Sequence, residues 1–542
     1  MSTEAQQIRE KEAATGEEEL PEGWDQATLG DLIVHALGGA WGFDPTEEKA
    51  RGLPRVNVIR GTEFRRWEDD KGSTAAERCI ERSSLAKRQL SEGDLVIEIS
   101  GGGPDQPVGR TLVIDTDAIQ RARHPLVCSN FCRQVRLSRE LNPEFVNFDL
   151  RFQYRRGEFN QYQTETTNLR NLNFTDFISG VSVPIPPRAE QDRIVRTIDE
   201  LLNELEKTRK RLAKIGIVLK HFRQAVLAAA CSGKLTEDWR KANSPSQTAA
   251  WLIQEILRSR AERYAETCRK ASSQGRPAPK RPFNLTRSNP NGTLAELPFG
   301  WEWATWNDIV DWVTYGFTRP MPHVASGISI ITAKHIFDSR IHFENVDHTP
   351  AEAFRELSDK DRPRKGELLL TKDGSIGRAA IVETEESFCI NQSVAVLRFG
   401  GLTAYVPYLL RVIESKHTQD LIEEQAKGTA IRHISITAFG KFPLPLPPLE
   451  EQHEIVRRVE ALFKLADAIE KRVTAASLRA EKLTQAILAK AFRGELVPTE
   501  AELARREGRE SEPASVLLEK IKAERAKAAP SQDLKAAPRR QH

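Results

Sequence analysis

A long heptad repeat occurs twice in the chain and restricts the folds open to it. Residues 186–235 align without a gap with residues 447–496, and both segments begin with Pro-Pro-x-x-Glu-Gln. In each copy apolar residues recur at alternating steps of four and three, the pattern of a coiled-coil helix. The predicted packing positions are Ile194, Ile198, Leu201, Leu205, Leu212, Ile215, Leu219, Phe222 and Val226 in the first copy, and Ile455, Val459, Leu462, Ile469, Val473, Leu483 and Ile487 in the second.

The two helical segments are predicted to pair antiparallel about an approximate twofold axis. In this pairing Ala480 lies opposite Leu201 and Ala466 lies opposite Ile215, so that small side chains meet large ones. The same pattern also suits two helices that are buried separately, each against its own globular domain.

The rest of the chain repeats in a circular order. Leu20-Pro21-Glu22-Gly23-Trp24 returns as Leu297-Pro298-Phe299-Gly300-Trp301. The apolar helix pattern at residues 249–257, which precedes the second of these motifs, returns at residues 514–525 near the end of the chain. The C-terminal segment therefore leads back, in the order of the repeat, to the N-terminal motif.

The blocks between the tryptophan motifs and the Pro-Pro pairs are predicted to be mixed α/β domains of one fold. Gly93-Asp94-Leu95-Val96-Ile97 matches Gly366-Glu367-Leu368-Leu369-Leu370, a turn that enters a buried strand. The predicted fold class is α+β, with two mixed α/β domains joined by two long antiparallel helices. The predicted boundaries are an acidic N-terminal segment at 1–19, the first α/β domain at 20–186, a helical region at 187–240, a helix and linker at 241–296, the second α/β domain at 297–446, a second helical region at 447–500, and a C-terminal helix and tail at 501–542.

Composition and motifs give no support for an enzyme. Lys and Arg number 80 against 77 Asp and Glu, so net charge alone does not indicate a nucleic-acid partner. No phosphate-binding GxxxxGK[ST] loop occurs, and the run from Asn142 to Phe145 has Glu144 where an adenine-methyltransferase motif needs a second proline. We predict no catalytic residue, no metal and no cofactor. Sparse cysteines and the lack of a long apolar run predict a cytoplasmic protein that does not contact a membrane.

Three stretches in the second half of the chain carry a family resemblance. They are Gly428-Thr429-Ala430-Ile431-Arg432-His433-Ile434-Ser435 followed by residues 443–452, the helix exit at residues 487–498, and Ala514-Ser515-Val516-Leu517-Leu518. Together they resemble the DNA-specificity subunit of type I restriction-modification enzymes, and the resemblance covers nearly the whole chain.

The resemblance implies a sequence-specific DNA-binding subunit without catalysis of its own. Residues 20–186 and 297–446 would then be target-recognition domains, each of which reads one half of a bipartite site in double-stranded DNA. The helices would set the gap between the two halves and recruit two methyltransferase subunits, and restriction motor subunits would join in the full complex.

Polar side chains are needed to read base edges, whereas Lys and Arg at phosphates mainly position the protein. The candidates for DNA contact in the first domain are Arg60, Thr62, Ser100, Arg110, Asn168, Arg170 and Asn171. The candidates in the second domain are Lys334, His335, Lys372, Ser375, Arg378, Thr429, Arg432 and His433.

Two alternatives stay open at this point. The same architecture could serve a methylation-only or type IIB-like system, which neighbouring genes would distinguish. The chain could also be a coiled-coil scaffold for protein interactions that does not bind DNA, and a strong salt dependence of DNA binding would argue against that alternative.

Overall fold

The computed structural model describes residues 20–103, 106–166, 169–243, 245–278, 284–288, 294–400, 403–426 and 432–527. The chain divides into two compact units. Unit 1 combines Met1–Arg211 with Ala476–His542, and unit 2 is Leu212–Ala475. The predicted fold class is confirmed, since each unit contains a mixed α/β domain and two long helices accompany them. No helix in the described part of the chain is long and apolar enough to cross a membrane.

Strands and short helices of unit 1 alternate along the chain. The strands are β1 (Asp25–Thr28), β2 (Ile33–Gly38), β3 (Arg55–Ile59), β4 (Ala76–Cys79), β5 (Leu95–Glu98), β6 (Ser100–Gly102), β7 (Thr111–Val113), β8 (Leu126–Cys128), β9 (Cys132–Leu137), β10 (Gln163–Thr166), β11 (Leu169–Leu172) and β12 (Ser182–Ile185). The helices are α1 (Leu29–Leu32), α2 (Trp67–Asp70), α3 (Arg82–Arg88), α4 (Thr116–Arg121), α5 (Pro143–Arg156) and α6 (Phe174–Gly180), with α16 (Glu500–Glu507) and α17 (Ala514–Lys527) from the C-terminal segment.

Unit 2 has a similar alternation. Its strands are β13 (Glu302–Thr305), β14 (Trp312–Tyr315), β15 (Ile328–Ile331), β16 (Ile336–Phe337), β17 (Arg340–Ile341), β18 (Asp347–Thr349), β19 (Leu368–Thr371), β20 (Ala379–Ile381), β21 (Phe388–Ile390), β22 (Val394–Arg398) and β23 (Pro443–Leu446). Its helices are α8 (Glu237–Ala242), α9 (Ala249–Ser273), α10 (Trp306–Ile309), α11 (Ala351–Arg355), α12 (Val406–Glu414), α13 (Lys416–Ala426) and α14 (Ile436–Phe439). The two long helices are α7 (Arg188–Cys231) and α15 (Leu449–Phe492), and each contributes residues to both units.

Both units build three matching sheets. The four-stranded sheet has the order β2-β9-β5-β7 in unit 1 and β14-β22-β19-β20 in unit 2, and the three-stranded sheet has the order β4-β3-β8 and β18-β15-β21. A two-stranded sheet pairs β1 with β12 and β13 with β23. The β3–β8 and β15–β21 pairs are parallel, and the other pairs in these sheets are antiparallel. One fold therefore occurs twice, as the internal repeat predicts.

Residues that occur in both copies of the repeat form a buried hydrogen-bonded centre in each unit. Trp24 Nε1 donates to Glu190 Oε1 at 2.8 Å, and Trp301 Nε1 donates to Glu451 Oε2 at 2.8 Å. These contacts join the first motif of each repeat to the start of the long helix. Both carboxylates are fully buried, so each bond satisfies a group that would be costly to leave unpaired.

The circular order of the sequence is also present in the structure. Ala249 N, at the start of α9, donates to Gly300 O at 2.9 Å, and Ala514 N, at the start of α17, donates to Gly23 O at 2.9 Å. In unit 1 this bond joins segments from the two ends of the chain. A helix that precedes the domain in unit 2 is thus replaced in unit 1 by the C-terminal helix α17.

Glycines end both long helices. Gly494, which follows α15, has a φ of +72°, and a Cβ there would lie 2.5 Å from Cγ of Pro21. Gly233, which follows α7, has a φ of +75° and the same 2.5 Å relation to Pro298. Any other residue would strain the backbone and collide with the proline of the Leu-Pro-x-Gly-Trp motif.

The long helices run antiparallel within each unit, as predicted, but with a different register. In unit 1, Arg209 donates to the backbone oxygen of Ala480 at 3.2 Å and to Thr484 Oγ1 at 3.1 Å. Ala480 therefore lies near the level of Arg209 rather than opposite Leu201. In unit 2, Arg223 contacts Asp467 at 2.7 Å.

The predicted pairing of Ala480 with Leu201 and of Ala466 with Ile215 is wrong by about one heptad. The pairing of small with large side chains predicted the wrong register. A shift of one heptad still brings packing positions of one helix against packing positions of the other, so the heptad pattern does not distinguish the two alignments.

Two predicted packing positions are also wrong. Leu201 is 39% exposed and Leu483 is 50% exposed, while the adjacent Leu202 packs against the core of unit 1 and Thr484 is buried. A straight helix has 3.6 residues per turn, so a strict heptad drifts off the buried stripe. The ends of the helices pack into the domains themselves, since Ile194 and Ile198 belong to the core of unit 1.

Candidate nucleic-acid interface

Three segments of unit 2 meet at the end of the buried strand β19. Lys372 N donates to Ser393 O at 2.9 Å, Ile434 N donates to Lys372 O at 2.8 Å, and Gly374 N donates to Arg432 O at 3.0 Å. The turn after β19, the turn before β22 and the segment before α14 thus share one surface. Because the all-buried strand β19 fixes the first of these segments, the side chains on it have a rigid base.

A charged cluster lies on this surface. His433 Nδ1 and Asp373 Oδ1 are 2.5 Å apart, and Lys372 Nζ donates to Asp373 Oδ2 at 2.8 Å. Burial acts to raise the pKa of Asp373, but the hydrogen bonds from His433 and Lys372 hold it below its usual range. Lys372 is itself buried and lies 4.9 Å from the ring centre of Tyr315, so it orients Asp373 rather than facing solvent.

Three more predicted residues lie near this cluster and remain accessible. Ser375 and Arg378 are exposed, on the turn between β19 and β20. The guanidinium of Arg378 has no partner among the described residues. Arg432 is 52% exposed on its side chain and forms an ion pair with Glu423.

A neighbouring turn carries Lys334 and His335. Ala333 N on this turn donates to the hydroxyl of Ser393 at 3.0 Å, which connects the turn to the same surface. Lys334 is exposed, whereas His335 is 5% exposed and its Nδ1 accepts from Thr332 N at 3.1 Å. Burial, followed by the charge of Lys334, lowers the pKa of His335. His335 supports the turn and does not face solvent.

Unit 1 builds the corresponding surface from corresponding segments. Leu172 N donates to Ile99 O at 2.8 Å, and Ser100 N donates to Phe131 O at 3.3 Å. Ser100 Oγ donates to Asn171 Oδ1 at 2.6 Å across β6 and β11. Arg170, the residue before Asn171, is half-buried. The structure therefore brings Ser100, Arg170 and Asn171 together.

The predicted residue Arg110 is not free to contact DNA in this structure. Its guanidinium donates to Glu98 Oε2 at 2.8 Å, to Glu98 Oε1 at 2.5 Å and to Gly61 O at 2.8 Å. Burial acts to lower the pKa of Arg110, and the buried carboxylate of Glu98 more than offsets it, so the pKa is raised. The arginine holds the turn around Gly61 against β5.

Arg60 and Thr62 lie on that same turn. Arg60 Nη2 and Thr62 Oγ1 donate to Glu63 Oε1 at 2.7 and 2.9 Å. Arg60 keeps about a third of its side chain exposed, so it borders the surface while one face of its guanidinium is occupied. Asn168 and Thr429, the remaining candidates, lie outside the described residues.

Sequence reasoning missed two residues of these surfaces. Asp373 is the partner of His433, and Phe131 is 49% exposed at the turn whose carbonyl holds Ser100. Asp373 had a sequence signal, since it follows β19 as Ser100 follows β5. Phe131 had none, because only the fold shows that the ring is left exposed.

The family model of the type I restriction modification DNA specificity domain matches residues 84–215 and 327–476. The two matched regions together make up just over half of the chain and fall once in each repeat. The chain belongs to this family, and the predicted resemblance is confirmed.

Relatives of this family match different shares of the chain. The type I restriction enzyme EcoBI specificity subunit of Escherichia coli is 33% identical over 350 residues, which is 64% of this chain and 64% of that subunit. The EcoKI specificity subunit of Escherichia coli strain K12 is 27% identical over 520 residues, 94% of this chain and 96% of that subunit. The chain thus spans just under two thirds of the former and nearly all of the latter.

Solved structures share the fold. A chain from a study of complex assembly and conformational transition of the type I R-M system has a TM-score of 0.58 at 18% identity, covering 88% of this chain and all of that chain. The HsdS subunit from Thermoanaerobacter tengcongensis has a TM-score of 0.50 at 19% identity, covering 89% and 99%.

Proposed function

We propose that the protein is the DNA-recognition subunit of a type I restriction-modification complex and that each unit reads one half of a bipartite site. One observation carries this proposal. Each unit sets polar side chains on the same rigid turn after a buried strand, β5 or β19, but the side chains differ between the units. Two domains of one fold with different polar surfaces suit two different half-sites on one duplex.

The residues fall into two roles in this proposal. Arg170, Lys334 and Arg432 contact phosphates, which fix the position of the protein without reading sequence. Ser100, Asn171, Ser375, Arg378 and His433 face the base edges. Arg60 and Thr62 border the first surface, and Asn168 and Thr429 are proposed to contact DNA as well. Arg110, His335 and Lys372 support the surfaces from beneath.

We further propose that the long helices set the gap between the half-sites and recruit two methyltransferase subunits, with restriction motor subunits added in the full complex. Each helix is 44 residues long and unbroken, which at ~1.5 Å per residue gives a rod of about 65 Å. Catalysis then belongs to the partner subunits, and the complex acts in the cytoplasm, where the host DNA is.

Methylome sequencing of cells that express the chain with its methyltransferase subunit tests this function. We expect one modified motif made of two short specified halves with an unspecified gap of fixed length. A continuous motif, or no sequence preference, contradicts the proposal. Insertion of about one helical turn into both α7 and α15 should lengthen the gap and leave both halves unchanged.

A further inference from the structure

We infer that one pair of equivalent positions sets the base preference at one or more positions of each half-site. The pair is Ser100 and Asn171 in unit 1 and Asp373 and His433 in unit 2. This inference rests on the proposed function and adds to it the residues that discriminate between bases.

The backbone establishes that the two pairs are equivalent. Leu172 N donates to Ile99 O at 2.8 Å, and Ile434 N donates to Lys372 O at 2.8 Å. In each unit the pair consists of the residue that follows the accepting residue and the residue that precedes the donating residue. These are Ser100 and Asn171 in unit 1, and Asp373 and His433 in unit 2. The sheets beneath them also agree, because β5 and β19 occupy the same place in the four-stranded sheet.

The side chains at these equivalent positions differ in chemistry while their contact is kept. Ser100 Oγ and Asn171 Oδ1 are 2.6 Å apart, and Asp373 Oδ1 and His433 Nδ1 are 2.5 Å apart. One pair is a hydroxyl with an amide, and the other is a carboxylate with an imidazole. Base pairs are told apart by their donors and acceptors in the major groove, so this exchange changes what the surface can recognise.

The residue next to the pair behaves in the opposite way. Arg170 precedes Asn171, and Arg432 precedes His433, so the arginine is the same in both units. Phosphates are identical along any DNA sequence, and a residue that contacts them has no reason to differ between half-sites. A position that has the same residue in both units is therefore expected to contact the DNA backbone. A neighbouring position that differs between the units is expected to contact the bases.

The pairs are also accessible. Ser100, Asn171 and Asp373 are half-buried and His433 is exposed, so none belongs to a hydrophobic core. Core packing does not account for the difference between them. The contact within each pair instead orders the two side chains before DNA binds, which lowers the entropic cost of recognition.

An exchange of the pairs tests the inference in the full chain assembled with its methyltransferase subunits. The variant Ser100→Asp with Asn171→His carries the pair of unit 2 in unit 1. Base preferences are measured by selection from DNA libraries in which one half-site is randomised and the other is fixed. We expect the preference at one or more positions of the first half-site to change by about tenfold or more, with the second half-site unchanged.

The reciprocal variant, Asp373→Ser with His433→Asn, should change only the second half-site. Thr116→Ala is a matched control, because it removes a 2.6 Å hydroxyl-to-carboxylate bond to Glu92 elsewhere in unit 1 and should change neither half. If an exchange abolishes binding, Ser100→Ala replaces it: a relaxed first half-site supports the inference, and an unchanged one overturns it.

The outcomes separate the inference from the proposed function. If the wild-type complex selects a bipartite site and the exchange variants select the same bases, the pair is structural and the inference fails while the function stands. A change in both half-sites from one exchange also overturns the inference. A wild-type complex without a bipartite preference overturns the proposed function and the inference together.

Discussion

Arg110 of unit 1 and Arg378 of unit 2 occupy the same place in the fold and have different roles. Each arginine carbonyl accepts a bond from the last residue of the buried strand, Glu98 N at 2.9 Å or Thr371 N at 2.8 Å. The side chain of that residue differs. Glu98 places a buried carboxylate under Arg110, whereas Thr371 uses its hydroxyl to bind Ser375 O at 2.5 Å. The residue beneath each arginine thus distinguishes them: Arg110 is held by the carboxylate of Glu98, whereas Arg378 has no charged partner among the residues that the structure describes.

Removal of the carboxylate under Arg110 should have the largest effect. Glu98→Gln keeps the shape of the side chain but leaves the guanidinium of Arg110, whose side chain is 16% exposed, without its counter-charge, at a cost of about 3 kcal/mol. Hydrogen exchange of unit 1 amides measures this cost as a lower opening free energy. The exposed Glu92→Gln is the control and should change it by less than ~0.5 kcal/mol. If Glu98→Gln and Glu92→Gln lowered the opening free energy equally, Glu98 would not hold Arg110 in a structural role, and Arg110 would not differ from Arg378 in this respect.

The two buried tryptophan–glutamate bonds should differ in cost when broken. Trp24→Phe leaves Glu190 with the 2.8 Å bond from Glu500 N, whereas after Trp301→Phe Glu451 keeps Thr236 at 2.6 Å and the charge of Arg240. We expect Trp24→Phe to lower the stability of unit 1 by about 1.5–3 kcal/mol.

Trp301→Phe is the matched change in unit 2 and should cost less, because it deletes the same atoms and leaves a charged partner. Denaturant unfolding followed by hydrogen exchange in each unit gives both values. A larger loss in unit 2 would show that the counter-charge does not support its carboxylate.

Truncation of the exposed Arg378 should affect recognition rather than stability. Arg378→Ala removes an exposed fork that can donate two bonds to guanine, and we expect a loss of about 1–3 kcal/mol of discrimination at one base pair of the second half-site. Library selection with the full complex measures it. Arg378→Lys keeps the charge but not the fork, so it should retain affinity and lose discrimination. Loss of affinity for every sequence in both variants would assign Arg378 to phosphates instead.

A buried carboxyl in α5 should make unit 1 more sensitive to pH than unit 2. Burial raises the pKa of Asp149 to about 8, whereas the equivalent position of α12 is the apolar Val412. Folded Asp149 holds a proton that the unfolded chain releases near pH 4, so it lowers the stability of unit 1 progressively from about pH 4 to pH 8.

Asp149→Asn removes that dependence and preserves an acceptor for Gln153. We expect a higher thermal midpoint than the wild type at both pH values, with a gain several-fold larger at pH 9, where the wild type must ionise the buried group, than at pH 5. Calorimetry at the two pH values measures it. A gain of the same size at pH 5 would show that the titration of Asp149 is not the cause.

Features that repeat along the chain could be predicted from the sequence. Three of these features are local patterns: the heptads, the two tryptophan motifs and the buried strand before each turn. They predict the helices, the domains and the segments of the candidate surface. The antiparallel register was wrong because heptads specify a seam and not a unique alignment along it. The exposure of Leu201 has a related cause, since the buried stripe of a straight helix drifts away from a strict heptad.

The state of each polar side chain could not be predicted, because it depends on partners far along the chain. Arg110 and Arg378 look alike in sequence until Glu98 is placed 12 positions away across a strand pair. His335 looks like a surface histidine in sequence, but the fold around it buries it. Long-range partners decide whether a polar residue is available.

The bond from Ala514 N to Gly23 O also has a consequence for the order of folding during synthesis. Unit 2 is a continuous stretch and can close as soon as its last residues leave the ribosome. Unit 1 cannot complete its core until α17 and the end of α15 have been synthesised, because Phe492 and Leu517 belong to that core. At ~5–20 residues per second, its N-terminal part stays incomplete for tens of seconds. The first domain to be translated is therefore the last to complete its fold. A chain that ends early, from a truncated transcript, has a complete unit 2 and an incomplete unit 1.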